Sequence, residues 1–288
     1  LDFHLADFAL TLTLREICEM EVELEAQALQ LRHLADFALT LTLPVARDVT
    51  VSSWFTLITP ALRSLTIAER LKHRSVDVSQ LFLGTVPPLE KLSIAYVDGI
   101  KWLQERPLIE LLHQLQTSLA SLLLDCHLSH AALSKLGRLS ALKSLSVSTA
   151  SAPSHNALAA MFGGLSKLET MRFAVAPPED QPADHQLLPR SAQADAKQLH
   201  AILVPCVEDL TLELEPGELD TLQLAQVFGA LTMPALTRIT APVGPVLERI
   251  MGKHPQIRVL SVLAVNSVTI RLEFPNLRAL ILERGERE

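Results

Sequence analysis

Apolar residues return along the chain in a short pattern, L-x-x-L-x-L, in which the intervening positions are mostly polar. The pattern is clearest in residues 89–94 (LEKLSI), and it recurs in residues 62–67 (LRSLTI), 142–147 (LKSLSV) and 207–212 (VEDLTL). Apolar and hydroxyl residues that alternate over so few positions are typical of a strand with one buried face. A single strand of this size does not fold alone, so its recurrence predicts a repeat protein.

The first apolar residue of each pattern, which we call the anchor, divides the chain into about eleven irregular repeats within one predicted domain, residues 1–288. The anchors are Leu5, Leu34, Leu62, Leu89, Leu119, Leu142, Leu168, Val207, Leu236, Ile257 and Leu277. Most steps between anchors are 20 to 30 residues, and the longest is 39. That longest step contains residues 176–198, which are rich in Pro, Asp, Gln and Ala, so we expect a flexible insertion loop there.

Helix signals lie between the patterns. Apolar residues at helical spacing predict helices over residues 15–31, 224–231 and 246–251. Pro107 is suited to open a helix, and Ser154 is suited to cap one. Several prolines stand one or two residues before an anchor, where they end the preceding helix: Pro60, Pro88, Pro234 and Pro275.

One segment of the chain is an exact copy of another. Residues 4–14 recur unchanged as residues 33–43, a shift of 29 residues. The shift equals one repeat length, which favours duplication of a structural unit over an artefact of sequencing or gene prediction; the sequence alone leaves both open. Because the chain begins at Leu1 and not at a methionine, we expect that an N-terminal segment is missing.

Composition and charge narrow the possible functions. Hydrophobic residues make up 49% of the chain but aromatic residues only 4%, which predicts an aliphatic core in thin repeated layers. The net charge of −7 argues against nucleic acid or an anionic membrane as a partner. Three scattered cysteines favour a reducing compartment, cytoplasmic or nuclear. The sequence contains no evident signal peptide and no apolar run of membrane-spanning length.

Candidate catalytic and metal sites are weak. Cys126, His127 and His130, with His113 upstream, resemble part of a zinc site, but a single cysteine and two histidines on an expected solvent-facing turn favour a structural interpretation. The sequence contains no phosphate-binding glycine loop and no G-x-S-x-G motif. We therefore predict no enzymatic activity and no cofactor.

One set of positions does suggest a function. The residue between the second and third apolar positions should form an exposed column across a parallel sheet. From the third repeat onward it is Thr66, Ser93, Leu123, Ser146, Arg172, Thr211, Thr240, Ser261 and Ile281. Charged residues gather near the middle of the second half, so the predicted partner-binding residues are Arg172, Asp209, Thr211, Glu213, Arg238 and Thr240. The alternative is that the charged residues only pair with one another.

The patterns resemble the leucine-rich-repeat superfamily over almost the whole chain, from Leu5 to Leu282. The resemblance implies an α/β leucine-rich-repeat solenoid, with a curved parallel sheet on the concave side and helices or irregular turns on the convex side. The Asn or Cys that usually follows the pattern is absent, since Arg70, Val97 and Ala150 occupy that position.

The irregular repeats resemble those of F-box-associated receptors, and residues 53–62 (SWFTLITPAL) are similar to the end of an F-box. A core position for Trp54 is the alternative. The resemblance implies a non-catalytic module that binds a protein partner on its concave face, as the substrate-receptor part of a ubiquitin ligase. A regulatory scaffold, such as a GTPase-activating or inhibitor-type repeat protein, is the other interpretation. The identity of the partner, the oligomeric state and an F-box before Leu1 are left open.

Overall fold

A computed structural model describes residues 10–13, 39–44, 62–69, 86–96, 105–175, 200–214, 218–264 and 276–284. The chain forms two compact units, Leu1–His127 and Leu128–Glu288, which we describe separately. The predicted helix over 15–31, the F-box-like residues 53–61 and the predicted insertion loop over 176–198 lie outside the described residues. The single domain over residues 1–288 stays a prediction.

The first unit contains five parallel strands and one helix among its described residues. The strands, in spatial as in chain order, are β1 (Leu10–Thr13), β2 (Leu39–Pro44), β3 (Leu62–Glu69), β4 (Lys91–Tyr96) and β5 (Ser121–His127). Helix α1 (Glu105–Gln114) precedes β5 and buries Leu108, Leu111 and Leu112. Pro107, the predicted start of this helix, stands in its first turn, where a missing N–H removes no helical hydrogen bond.

The duplicated segment places each residue of β1 opposite its own copy. Leu10 lies opposite Leu39, and Thr13 lies opposite Thr42. The paired residues are thus separated by the same 29 residues as the two copies of the duplicated segment. Both strands contain the last residue of the predicted patterns 5–10 and 34–39. The other five residues of each pattern lie outside the described residues, so their strand assignment stays a prediction.

The second unit contains four helices and eight strands among its described residues. Its helices are α2 (His130–Leu136), α3 (His155–Phe162), α4 (Glu218–Gly229) and α5 (Pro245–Lys253). Its main sheet is parallel, in the order β6 (Ser144–Thr149), β7 (Thr170–Val175), β9 (Asp209–Leu214), β11 (Arg238–Pro242), β12 (Val259–Ala264) and β13 (Ala279–Arg284). A short second pair, β8 (Ile202–Leu203) and β10 (Leu231–Thr232), is also parallel, and the sequence pattern did not predict it.

From Leu89 onward every anchor stands two residues before a strand. Seven of these eight anchors, Leu89 to Ile257, are buried. From β4 to β12 the second and third apolar positions of the pattern are buried, as Leu210 and Leu212 are in β9, both 0% exposed. In β13 they are not buried, since Leu280 is 52% and Leu282 67% exposed. Helices close this interior from the other side: Phe173 of β7 packs edge-on against Phe228 of α4, with ring centroids 5.5 Å apart. From β4 to β12 the pattern thus predicts both the strands and the side of each strand that is buried.

Local signals start and end the helices of the second unit. The hydroxyl of Ser154 accepts a hydrogen bond from the Ala157 N–H at 3.2 Å, which confirms the predicted cap of α3. Ser129 caps α2 in the same way through the Ala132 N–H. The glycines that follow α2 and α3 touch: a Cβ on Gly164 would collide with the Gly137 carbonyl group, so the two helix ends can approach this closely only without side chains.

The predicted α/β class with a parallel sheet is confirmed. Across the parts of the chain that the structure describes, no helix is both long and apolar enough to cross a bilayer.

Candidate functional site

The predicted column of exposed positions is in register across the strands of each unit. In the first unit Thr66 pairs with Ser93, and Ser93 pairs with Leu123. In the second unit the column runs without a break through Ser146, Arg172, Thr211, Thr240, Ser261 and Ile281. Neighbouring strands lie about 4.8 Å apart, so these side chains form one continuous row on the sheet.

Most of this row is accessible to solvent. Ser146, Thr211 and Thr240 are half-buried and Arg172 is exposed, while Ile281 is 46% exposed. Ser261 differs from the prediction, since it is only 4% exposed. The row between Arg172 and Thr240 is therefore a shallow hydroxyl surface bordered by charge.

Arg172 forms a bidentate ion pair with Glu213. Its Nε donates to Glu213 Oε1 and its Nη2 donates to Oε2, each at 2.8 Å. The residue directly opposite Arg172 is Thr211, so the guanidinium reaches diagonally to the carboxylate two positions further along β9. A diagonal contact of this kind lies within the reach of long side chains on a sheet.

Arg238 lies directly opposite Asp209 and donates from Nη1 to Asp209 Oδ2 at 3.4 Å. Partial burial raises the pKa of Asp209 above its ordinary value, and the nearby guanidinium of Arg238 opposes that rise. The carboxylate is thus held between β9 and β11 in a position where it is less well hydrated than a surface acid.

The structure therefore brings all six predicted site residues onto three adjacent strands, β7, β9 and β11. The four charged residues pair with one another, as the alternative interpretation predicted. The two ion pairs give this surface of β7, β9 and β11 no net charge. They also hold each charged side chain in one position on the surface.

The zinc-like group is not arranged as predicted. His127 is 3% exposed and belongs to β5, so its placement on a solvent-facing turn was wrong; His130 is the first residue of α2. Burial, with the nearby acids Asp125 and Glu105, raises the pKa of the Cys126 thiol to about 12. Burial lowers the pKa of His127, and Asp125 opposes that change. Among the described residues, no three His, Cys, Asp or Glu side chains form a group able to hold a metal ion.

A second row of residues was not predicted. It consists of the residues directly after the anchors, and we call it the entry row; in the second unit it comprises Lys143, Glu169, Glu208, Thr237, Arg258 and Arg278. The carbonyl group of each of the first five accepts two N–H groups from the next repeat. The Thr237 carbonyl, for example, accepts from the N–H groups of Arg258 at 2.8 Å and Val259 at 3.1 Å.

The entry row carries several accessible charges. Lys143 and Glu169 form an ion pair at 3.3 Å with both side chains more than half exposed. Glu208, Arg258 and Arg278 are exposed, and none of the three forms an ion pair with another residue in the described ranges. The position of this row could be read from the sequence, since it is one residue after each anchor. The residue type there does not repeat, however, because the row contains acids, bases and a threonine.

The chain was compared with models of known families and with curated proteins. No family model matches it, and no curated protein matches it. The leucine-rich-repeat resemblance thus rests on the repeated sequence pattern alone.

Proposed function

We propose that the chain is a non-catalytic protein-recognition module, built as a leucine-rich-repeat solenoid whose exposed column lies on the concave side of the sheet. The observation that carries the proposal is the unbroken register of the column from Ser146 to Ile281. A row of small hydroxyl side chains presents a shallow surface on which another protein can lie. The ion pairs at its border supply orientation and selectivity.

In the finer form of the proposal, the chain is the substrate-receptor part of an F-box-type ubiquitin ligase in the cytoplasm or nucleus. The support for this form is the irregularity of the repeats and the F-box-like residues 53–62. Affinity capture from cells, followed by mass spectrometry, tests it. Ligase components among the captured proteins support the receptor function, whereas a GTPase or an inhibited enzyme without them supports the regulatory scaffold.

The site itself is tested on a captured partner with charge-swap variants. Arg172→Glu combined with Glu213→Arg keeps an ion pair between β7 and β9 but reverses the charge at each position. Since exposed pairs contribute only about 0–1 kcal/mol, we expect an unchanged melting temperature and weaker binding of the partner. Asp209→Arg combined with Arg238→Asp makes the same test between β9 and β11.

A matched control is the exposed pair Arg106 and Glu110 of α1, which is joined at 3.0 Å and lies outside the sheet. The swap Arg106→Glu with Glu110→Arg should leave binding unchanged. If the sheet swaps bind as the unaltered protein does, while the α1 swap weakens binding, the partner site lies on the helices and the proposed site is wrong.

A further inference from the structure

The sheet of the first unit ends at β1 with an unprotected edge. β1 is the first strand in the order of the sheet, and among the described residues only β2 pairs with it. Its outer edge therefore presents backbone N–H and C=O groups that no described strand satisfies. Natural proteins protect such edges with charged residues, prolines or bulges, but β1 is Leu-Thr-Leu-Thr and pairs with β2 without a register shift. The ligand that fits an edge of this kind is another extended strand.

The last strand of the second unit differs from β1 in this respect. β13 contains Glu283 and Arg284, and Arg278 stands directly before it. Charged residues on or beside an edge strand oppose its pairing with a further strand. Of these two end strands, only β1 lacks such charges.

The sequence around β1 matches itself when it is turned end to end. Leu10 and Leu12 flank Thr11, while Asp7 stands four residues before Thr11 and Arg15 four residues after it. An antiparallel pair of two such segments, centred on Thr11, therefore sets leucine opposite leucine and threonine opposite threonine. It also sets an acid of one chain opposite a base of the other at each end of the pair.

Two observations favour a second copy of this chain as the strand that binds the edge. Along its inner edge β1 already pairs with a strand of identical sequence, so the sheet contains the same cross-strand neighbours, leucine beside leucine and threonine beside threonine. The matched charges, in contrast, belong to the first copy of the duplicated segment alone. In the second copy Asp36 corresponds to Asp7, but Pro44 stands in the place of Arg15. The charges that suit self-pairing thus flank the strand at the edge and not the strand inside the sheet.

We propose that two copies of the chain associate through β1, as antiparallel strands related by a two-fold axis at Thr11. Each β1 then forms hydrogen bonds along both of its edges, and the two sheets become one continuous sheet. Every contact occurs twice about the axis, so the interface is closed and does not propagate into fibres. The proposal goes beyond recognition of another protein, because it concerns the first unit, whereas the six predicted partner-binding residues belong to the second.

Disulfide cross-linking at the two-fold axis tests the proposal. Residues directly opposite in an antiparallel pair have Cα atoms about 4.5 or 5.5 Å apart, which is within the span of a disulfide. Thr11→Cys, in a full chain whose Cys18 and Cys206 are replaced by serine, should form a disulfide-linked dimer under mild oxidation. The remaining cysteine, Cys126, is buried. The matched control is Thr40→Cys, the corresponding residue of β2, which should not cross-link because β1 and β3 occupy both edges of β2.

Sedimentation velocity of the full chain tests the charges without a cross-link. Asp7→Arg sets an arginine opposite Arg15 at both ends of the pair, and Arg15→Asp sets an aspartate opposite Asp7. Each variant should dimerise about 10-fold more weakly than the unaltered chain, because like charges directly opposite each other destabilise a strand pair.

Mixing these two variants gives the decisive result. In the mixed pair every end joins an arginine to an aspartate, so the dimer should recover its strength. The recovery also shows that both variants are folded. Lys167→Asp, at an exposed residue of the second unit, changes the net charge as Arg15→Asp does and should leave the dimer unaltered.

Three results would overturn the proposal: a chain that is monomeric, cross-linking of Thr40→Cys as fast as that of Thr11→Cys, or charge variants that stay apart when mixed. A disulfide between Thr11→Cys of one chain and Thr40→Cys of another would also overturn it, since it would show that β1 is exchanged between chains and lies beside β2 of the second copy. None of these results affects the recognition function, which is tested by the charge swaps at Arg172 and Arg238 on a captured partner.

Discussion

Replacement of Leu210 by alanine should destabilise the second unit strongly. Leu210 is 0% exposed and lies in β9 between Met171 of β7 and Ile239 of β11. The substitution removes three buried carbons, which at ~0.8 kcal/mol each gives about 2.4 kcal/mol of lost transfer free energy. Since the neighbouring strands cannot close the resulting cavity completely, we expect a total loss of ~2–5 kcal/mol.

Native-state hydrogen exchange is the suitable assay, because it resolves the free energy of opening strand by strand. In a repeat protein each repeat contacts mainly its neighbours, so amides of β7, β9 and β11 should exchange faster, by between ~30-fold and several thousand-fold. The matched control is Leu203→Ala, since Leu203 belongs to the same unit but is 61% exposed. Leu203→Ala should change the amide exchange rates of these strands little.

A loss below ~0.5 kcal/mol for Leu210→Ala, the range typical of surface substitutions, would show that the strand register is wrong. An equal loss of protection in every strand of the unit would contradict the nearest-neighbour argument instead, because it would mean that the unit opens as a single body.

Three further predictions concern the buried positions of the two units. Gly164→Ala should destabilise by ~1–3 kcal/mol because its Cβ meets backbone, whereas Gly252→Ala, which meets nothing within 4 Å, should be neutral or stabilise by up to ~1 kcal/mol in thermal melts. The Cys126 thiol, whose pKa burial raises to about 12, should resist iodoacetamide in the folded chain and react on denaturation, and mass spectrometry should find Cys206, which is only partly buried, modified before Cys126. Burial, and to a lesser extent Lys253, lowers the pKa of His254; a histidine kept neutral in the fold stabilises it above its ordinary pKa of 6.5, and that stability is lost as the pH falls toward the lowered value. The melting temperature of the His254→Gln variant should therefore fall less as the pH is lowered than that of the unaltered chain.

Much of the fold could be predicted from the L-x-x-L-x-L pattern, because buried and exposed side chains alternate along a strand. The pattern around Leu142 or Val207 fixes which side chains face the interior, and each strand begins two residues after the first apolar residue of the pattern. In the first two repeats most of the pattern lies outside the described residues, and the strands described there, β1 and β2, consist of the Leu-Thr alternation that starts at Leu10 and Leu39. Helix α2 was not predicted, because seven residues give too few turns for helical periodicity to be seen.

The register of the exposed column was predictable from the sequence, whereas the ion-pair partner of each charged residue was not. Strand register places Thr211 opposite Arg172. This register can be read from the sequence, because both residues occupy the same position of the apolar pattern. It does not reveal that the Arg172 guanidinium reaches past Thr211 to Glu213, since that depends on side-chain rotamers. The entry row was missed for a different reason: charge order across strands appears only once repeats of unequal length are aligned in space.

The identity of β1 and β2 has a consequence for how the chain finds its native pairing. Residues 10–13 and 39–42 have the same sequence, so β3 has no local information with which to choose between them as neighbours. The native choice of β2 rests on the shorter intervening loop, whose closure carries the smaller entropic penalty. A chain lacking residues 5–33 would join the two copies into one and retain an unaltered strand beside β3. The first repeat is thus redundant as a template, and its loss by unequal recombination would leave the remaining strand pairings unchanged.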